Sequence, residues 1–169
     1  MAGTLVLGLG NDFAGDDAVG VLVARALLLE FEDVADVVES ASAGLALLEV
    51  LAGYDRAVIV DSVVTGRVPA GTITEMGLDE VGRVVAPSVH QAGLPKLAAV
   101  AARLGLTFPS TARVLAVEVV DPYTLGAGLS PPVADAVEEL VRRVREQVRA
   151  WEGGAACTTT TPSRPSSIV

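Results

Sequence analysis

Cysteine and histidine are nearly missing from this chain: Cys157 and His90 are the single representatives of each among 169 residues. One thiol allows no internal disulfide and no thiolate zinc cluster. Aromatic residues make up only 4% of the sequence. The apolar half is instead dominated by Val, Ala and Leu, the small branched side chains that fill strands covered on both faces. No apolar run approaches the roughly 20 residues needed to span a bilayer. Positive charge is also scarce, with 12 Lys and Arg against 21 Asp and Glu and a net charge of −9. Such a chain repels phosphate backbones and anionic lipid, so neither nucleic acid nor a membrane surface is an expected partner. The first residues carry no basic flank and their apolar run ends at Gly8-Leu9-Gly10-Asn11, which reads as a first strand rather than a signal peptide. The expected location is cytoplasmic.

What remains is a regular alternation of strand and helix signals. Thr4–Leu9, Val34–Glu39, Arg56–Asp61 and Ala112–Val119 read as strands, and Gly71–Met76, after the turn at Pro69, as an edge strand. Helical spacing runs from about Asp16, read as the cap, to Phe31, over Gly44–Leu51, within Gln91–Leu104 and from Pro131 to Trp151. Asp79–Val85 is ambiguous. The expected fold is three-layer α/β: a mostly parallel twisted sheet of about five strands, helices on both faces and one antiparallel edge strand. One domain is expected over residues 1–152. The Thr-, Pro- and Ser-rich stretch 153–169 has no periodicity and reads as a disordered tail.

Open parallel sheets place their sites beyond the C-terminal ends of the strands. There the sequence puts Asp17, Glu39 and Asp61, with His90 before a later helix. Two carboxylates and an imidazole form an O,O,N donor set suited to a divalent first-row metal, zinc or nickel, with positions left open for water or substrate. A histidine before a helix N-terminus is disfavoured as a cation, and neutral imidazole is the form that binds metal. Asp17 could equally complement a helix dipole, and Glu39 could be a solvated loop acid. Other chemistries fit less well. Gly8-x-Gly10 lacks the third glycine of a dinucleotide loop, whose place is taken by Phe13. Ser42 has Ser40 where a nucleophile elbow needs glycine. Cys157 lies in the tail, without the fixed geometry of a Cys–His pair. No nucleotide is expected.

Several ordered segments together resemble the hydrogenase maturation endopeptidases, which trim a C-terminal extension from the large subunit of nickel-iron hydrogenase after nickel insertion. They are Leu5-Val6-Leu7-Gly8-Leu9-Gly10-Asn11 and Gly15-Asp16-Asp17-Ala18-Val19-Gly20, then Gly53 through Val63, Pro69-Ala70-Gly71-Thr72, Ser88-Val89-His90-Gln91-Ala92-Gly93-Leu94 and Gly128-Leu129-Ser130-Pro131. The likeness spans about residues 4–150. It implies that nickel belongs to the substrate and is contacted by Asp17, Asp61 and His90. It also implies that carboxylates among Asp17, Asp61 and Glu39 carry the hydrolysis, and that Asn11, Ser42 and Gln91 lie along the substrate. The implied partner is the large-subunit precursor, met by a monomer or weak homodimer. Two segments depart from the family: Glu39-Ser40-Ala41-Ser42-Ala43-Gly44 replaces the usual Asp-Gly-Gly-Thr-x-Gly, and Glu118-Val119-Val120-Asp121-Pro122 differs from the usual Glu-Pro type. These departures leave room for a non-catalytic nickel-binding assembly factor, or for a protease of an F420-reducing type hydrogenase.

Overall fold

The computed structural model of the chain describes residues 3–31, 33–81 and 93–155. Its centre is a five-stranded sheet in the order β2-β1-β3-β5-β4, formed by β1 (Gly3–Leu9), β2 (Asp36–Ser40), β3 (Tyr54–Val63), β4 (Ile73–Gly77) and β5 (Thr111–Glu118). The pairs β1–β2, β1–β3 and β3–β5 are parallel, and only β4 runs antiparallel, at the edge beside β5. The expected three-layer architecture is therefore the one observed.

Both faces of the sheet are covered. Leu5, Leu7, Leu9 and Ile59 point to one side and pack with α2 (Leu47–Leu51), α3 (Leu78–Val81) and α4 (Leu94–Leu104). Val6, Val58 and Val60 point to the other and pack with α1 (Val19–Leu27) and α5 (Pro131–Ala155). Strands buried on both faces read as continuous apolar runs, which is why β1 and β3 are plain in the sequence. Truncating one of the fully buried leucines, such as Leu7, costs about 2–5 kcal/mol, transfer and cavity together.

Helix α1 lies unusually close to the sheet, and glycine permits it. A Cβ on Gly20 would stand 2.2 Å from the Leu9 carbonyl oxygen and 2.4 Å from that of Val60. A Cβ on Gly8 would stand 2.1 Å from the Gly20 carbonyl oxygen. The helix therefore starts in backbone contact with β1 and β3, and the residues just before it are fixed relative to both strands.

Several boundaries differ from the sequence reading. Asp16 does not open the helix. Residues Gly15–Ala18 form a 3-10 turn with no side-chain cap, and α1 begins at Val19 and ends at Leu27, short of Phe31. The strand expected to stop at Asp61 continues to Val63, because β5 pairs with it as far as Val63↔Glu118. Helix α5 runs on to Ala155, past Trp151. The remainder of the expected tail lies outside the described residues, as do positions 82–85 of the ambiguous segment.

Candidate active site

Strand β1 turns outward to β2 on one side, and the chain returns to β3 on its other side. The switch point of the sheet, where ligands of open α/β folds bind, is thus the C-terminal end of β1 and β3. Pairing between them ends at Gly8↔Val60, while β3 continues with β5 alone. Asp61, Ser62 and Val63 consequently lie beyond the reach of β1, beside the turn that carries Asp17.

Asp17 and Asp61 each hydrogen-bond to Ser62 there. Asp61 is fully buried, and its Oδ1 accepts the Ser62 backbone N–H at 2.9 Å. The Ser62 hydroxyl, itself buried, donates to Asp17 Oδ1 at 2.6 Å. The second Asp17 oxygen accepts the Asn11 backbone N–H at 2.9 Å. Donors on each oxygen fix the rotation of the Asp17 carboxylate. Backbone crowding fixes its position: Gly10 adopts φ +142°, and a Cβ there would fall 1.9 Å from the Asp17 carbonyl oxygen. Only glycine accepts both that conformation and that approach. In the sequence Ser62 is no more than part of a strand end, yet it touches both acids.

The neighbouring polar residues have other partners. Asp16, expected to cap its own helix, instead accepts the Ser130 N–H at 2.6 Å and the Ser130 hydroxyl at 2.9 Å. Ser130 immediately precedes α5, and its carbonyl accepts the N–H groups of Val133 and Ala134. Asp16 therefore ties the Asp17 turn to the start of the longest helix, across 114 residues of sequence. Glu39 on β2 accepts two hydrogen bonds from Arg25 of α1, at 3.1 Å from Nε and 2.8 Å from Nη2. The same guanidinium reaches Asp12 at 3.1 Å, and both acids hold it above its ordinary pKa. Glu118, buried at the end of β5, accepts the Thr65 and Gly66 N–H groups and the Thr65 hydroxyl, which folds the loop after β3.

Of the residues expected along a substrate, Asn11 uses its side-chain oxygen to accept the Phe13 N–H at 3.0 Å, and the Ser42 N–H donates to Ser40 Oγ at 3.1 Å. His90 and Gln91 lie outside the described residues. Among the described residues no group of three His, Cys, Asp or Glu side chains is placed to hold a metal ion. What the described site supplies is a pair of oriented carboxylates, able to donate oxygen ligands to a cation or to accept a proton from water.

The sequence matches the HycI family model, hydrogenase maturation protease, over residues 21–147. It is similar to the hydrogenase 2 maturation protease of Escherichia coli (strain K12), 29% identical over 151 residues that cover 86% of this chain and 90% of that protein. It is also similar to the hydrogenase expression/formation protein HupD of Rhizobium leguminosarum bv. viciae, 26% identical over 159 residues, covering 91% of this chain and 77% of that one. Among solved structures, the hydrogenase maturating endopeptidase HybD from E. coli superposes with a TM-score of 0.75 at 28% identity, covering 88% of this chain and 93% of its own. HybD from Thermococcus kodakarensis, at 20% identity and a TM-score of 0.68, shares the fold over 86% of this chain and 99% of its own.

Proposed function

This chain belongs to the hydrogenase maturation protease family, and from that premise we propose that it removes a C-terminal extension from the large-subunit precursor of a nickel-iron hydrogenase once nickel is in place. Asp17, Asp61 and His90 read the nickel as part of the substrate. The observation that carries this reading is the pair of carboxylates, Asp17 and Asp61, both hydrogen-bonded to Ser62 at the switch point of the sheet. Two carboxylates offered to one cation bind it more readily than either does alone, and nickel carried by the substrate supplies that cation. An empty precursor offers no such cation, which is the basis for discrimination.

Hydrolysis then needs an oriented water. A carboxylate accepts a proton from that water as its oxygen bonds to the scissile carbonyl carbon, and the amide nitrogen departs with a proton as the C–N bond breaks. Asp17, half-buried where Asp61 is fully buried, contacts the nickel and is also the carboxylate we assign to that proton. Asp61, fully buried, is assigned to the metal. Glu39, paired with Arg25, supports the Asp12 turn beside the reaction.

Purified protein mixed with nickel-loaded and nickel-free precursor tests the reading. Tail removal from the loaded form alone is expected. Equal cleavage of both forms, or of neither, overturns it. Asp17→Asn and His90→Ala should each stop cleavage while the protein still unfolds in one cooperative thermal transition.

A further inference from the structure

Beside the carboxylates stands a surface that the chemistry does not use. Of six aromatic residues, one Trp, two Tyr and three Phe, only Phe13 and Tyr123 are largely exposed, at 74% and 78%. Leu125 and Val120 join them at 72% and 76%. A chain so poor in aromatics thus spends two of them on solvent within two adjoining loops.

The backbone beneath these side chains is pinned. The Phe13 carbonyl accepts the Gly126 N–H at 2.8 Å, and Ala14 and Leu125 form an antiparallel bridge. The Asp121 carboxylate accepts the N–H groups of Tyr123 and Thr124 at 2.9 and 3.1 Å, and the Thr124 hydroxyl as well. These donors hold the Asp121 carboxyl below its ordinary pKa. The carbonyls of Asp121 and Thr124 lie 3.2 and 3.3 Å from where a Gly15 Cβ would stand, so the loop rests on the Asp17 turn itself. Exposed apolar side chains on an ordered backbone have little conformational freedom left to lose on association, which is what binding hot spots require.

We propose that Phe13, Tyr123 and Leu125 form the docking platform for the hydrogenase large-subunit precursor, taking an apolar segment of that folded protein bordered by Lys or Arg. This rests on the protease reading above. The platform is continuous with the reaction site: Phe13 lies four positions before Asp17, in the segment held by the Leu125 bridge, so a protein that presents its tail to Asp17 meets Phe13 as well. The basic border follows from charge. Asp121 flanks the platform with no basic side chain paired to it among the described residues, whereas Asp12 is paired with Arg25, and the chain carries −9 overall.

The test combines Phe13→Ser, Tyr123→Ser and Leu125→Ser in the full chain, with the nickel-loaded precursor as probe. All three side chains are exposed, so the thermal transition should stay near that of the unsubstituted protein. The apparent KM for precursor is expected to rise about 10- to 100-fold, the range of lost hot spots, with kcat at saturating precursor within about twofold. Tyr123→Phe alone should keep the original KM, because apolar contact is what it supplies. An unchanged KM in the triple variant overturns the proposal, as does a loss confined to kcat. Sedimentation covers the other occupant: if the unsubstituted protein is a dimer that the triple substitution dissolves, and KM does not move, the platform belongs to a second copy. Binding of the Asp17→Asn protein to precursor, measured without cleavage, separates the two readings. Tight binding lost with the platform upholds the docking surface even where no tail is removed, and absence of binding before any platform change rejects it.

Discussion

Ser62→Ala removes one oxygen and tests the centre of the site. The Ser62 hydroxyl is the donor to Asp17 Oδ1, at 2.6 Å, and it is buried. A hydrogen bond to a charged acceptor contributes about 1.5–3 kcal/mol. Asp17 keeps the Asn11 N–H on its other oxygen and is half-open to water, so the lower end applies, about 1.5 kcal/mol. For a domain of this size that lowers Tm by about 3–6 °C. The functional loss should be larger than the stability loss suggests. With the Ser62 donor lost, the Asp17 carboxylate shifts, and a displacement near 1 Å at a reacting group costs on the order of 100-fold in rate. The assay is single-turnover removal of the tail from nickel-loaded precursor, alongside thermal unfolding. A double-mutant cycle with Asp17→Ala isolates the pair: Ser62→Ala should cost almost nothing once the Asp17 carboxylate is gone, giving a coupling of about 1–2 kcal/mol. Additive effects, or full activity in Ser62→Ala, would refute the account of how Asp17 is held.

Other consequences are open to measurement. Asp16→Ala leaves the Ser130 N–H and hydroxyl without their acceptor and should lower stability in urea by about 1–3 kcal/mol, with faster amide exchange over residues 130–134. Gly20→Ala forces a Cβ against the Leu9 and Val60 carbonyls; equilibrium unfolding should show a loss of about 3 kcal/mol or more, and a loss below about 1 kcal/mol contradicts the close approach of α1. Arg142 and Arg143 hold the Glu139 carboxyl at about 2, below its ordinary value. Because the folded value is depressed, its stabilising contribution is complete above the ordinary carboxylate range and is lost as pH falls toward about 2. The Tm difference between the unsubstituted protein and Glu139→Gln should therefore shrink over that interval, and a difference that grows on acidification reverses the assigned sign.

The sheet is legible in the sequence because its signals are local. Runs such as Ala57-Val58-Ile59-Val60 carry strand propensity and double-sided burial in the same residues. Asp61 and Asp17 follow from the rule that sites lie past strand ends, which again needs only order along the chain. What escapes depends on residues distant in sequence. Asp16 looks like a cap because capping is a neighbourhood property; its actual partner, Ser130, is 114 positions away. Arg25 and Glu39 sit in different elements, and nothing in either segment announces their pairing. The end of β3 lies two residues beyond its expected place because β5, far later, continues to pair with it. Ser62 carries a weak signal, its place directly after an acid at a strand end, but its hydroxyl contact depends on a turn 45 residues earlier.

This division also explains how one fold can keep its chemistry while its partners differ. The Asp17 turn is fastened to backbone: Gly10 against Asp17, Gly8 and Gly20 between helix and strand. Backbone contacts of that kind admit almost no side-chain variation. The surfaces around it are fastened by side chains instead, through Asp16 to Ser130, Arg25 to Asp12 and Glu39, and Asp121 to its own turn. Such ties can be exchanged one pair at a time without moving the carboxylates. In the segment 39–44, which the sequence resemblance marks as a departure, the Glu39 backbone pairs with Gly8 of β1 while its side chain is held by an arginine of α1, so the side-chain tie belongs to this second category. Substitutions there should therefore alter which precursor is accepted before they alter the hydrolysis: Glu39→Gln, which weakens its tie to Arg25, should raise KM for precursor severalfold while kcat at saturation stays within about twofold, and a kcat collapse at unchanged KM would place Glu39 in the chemistry.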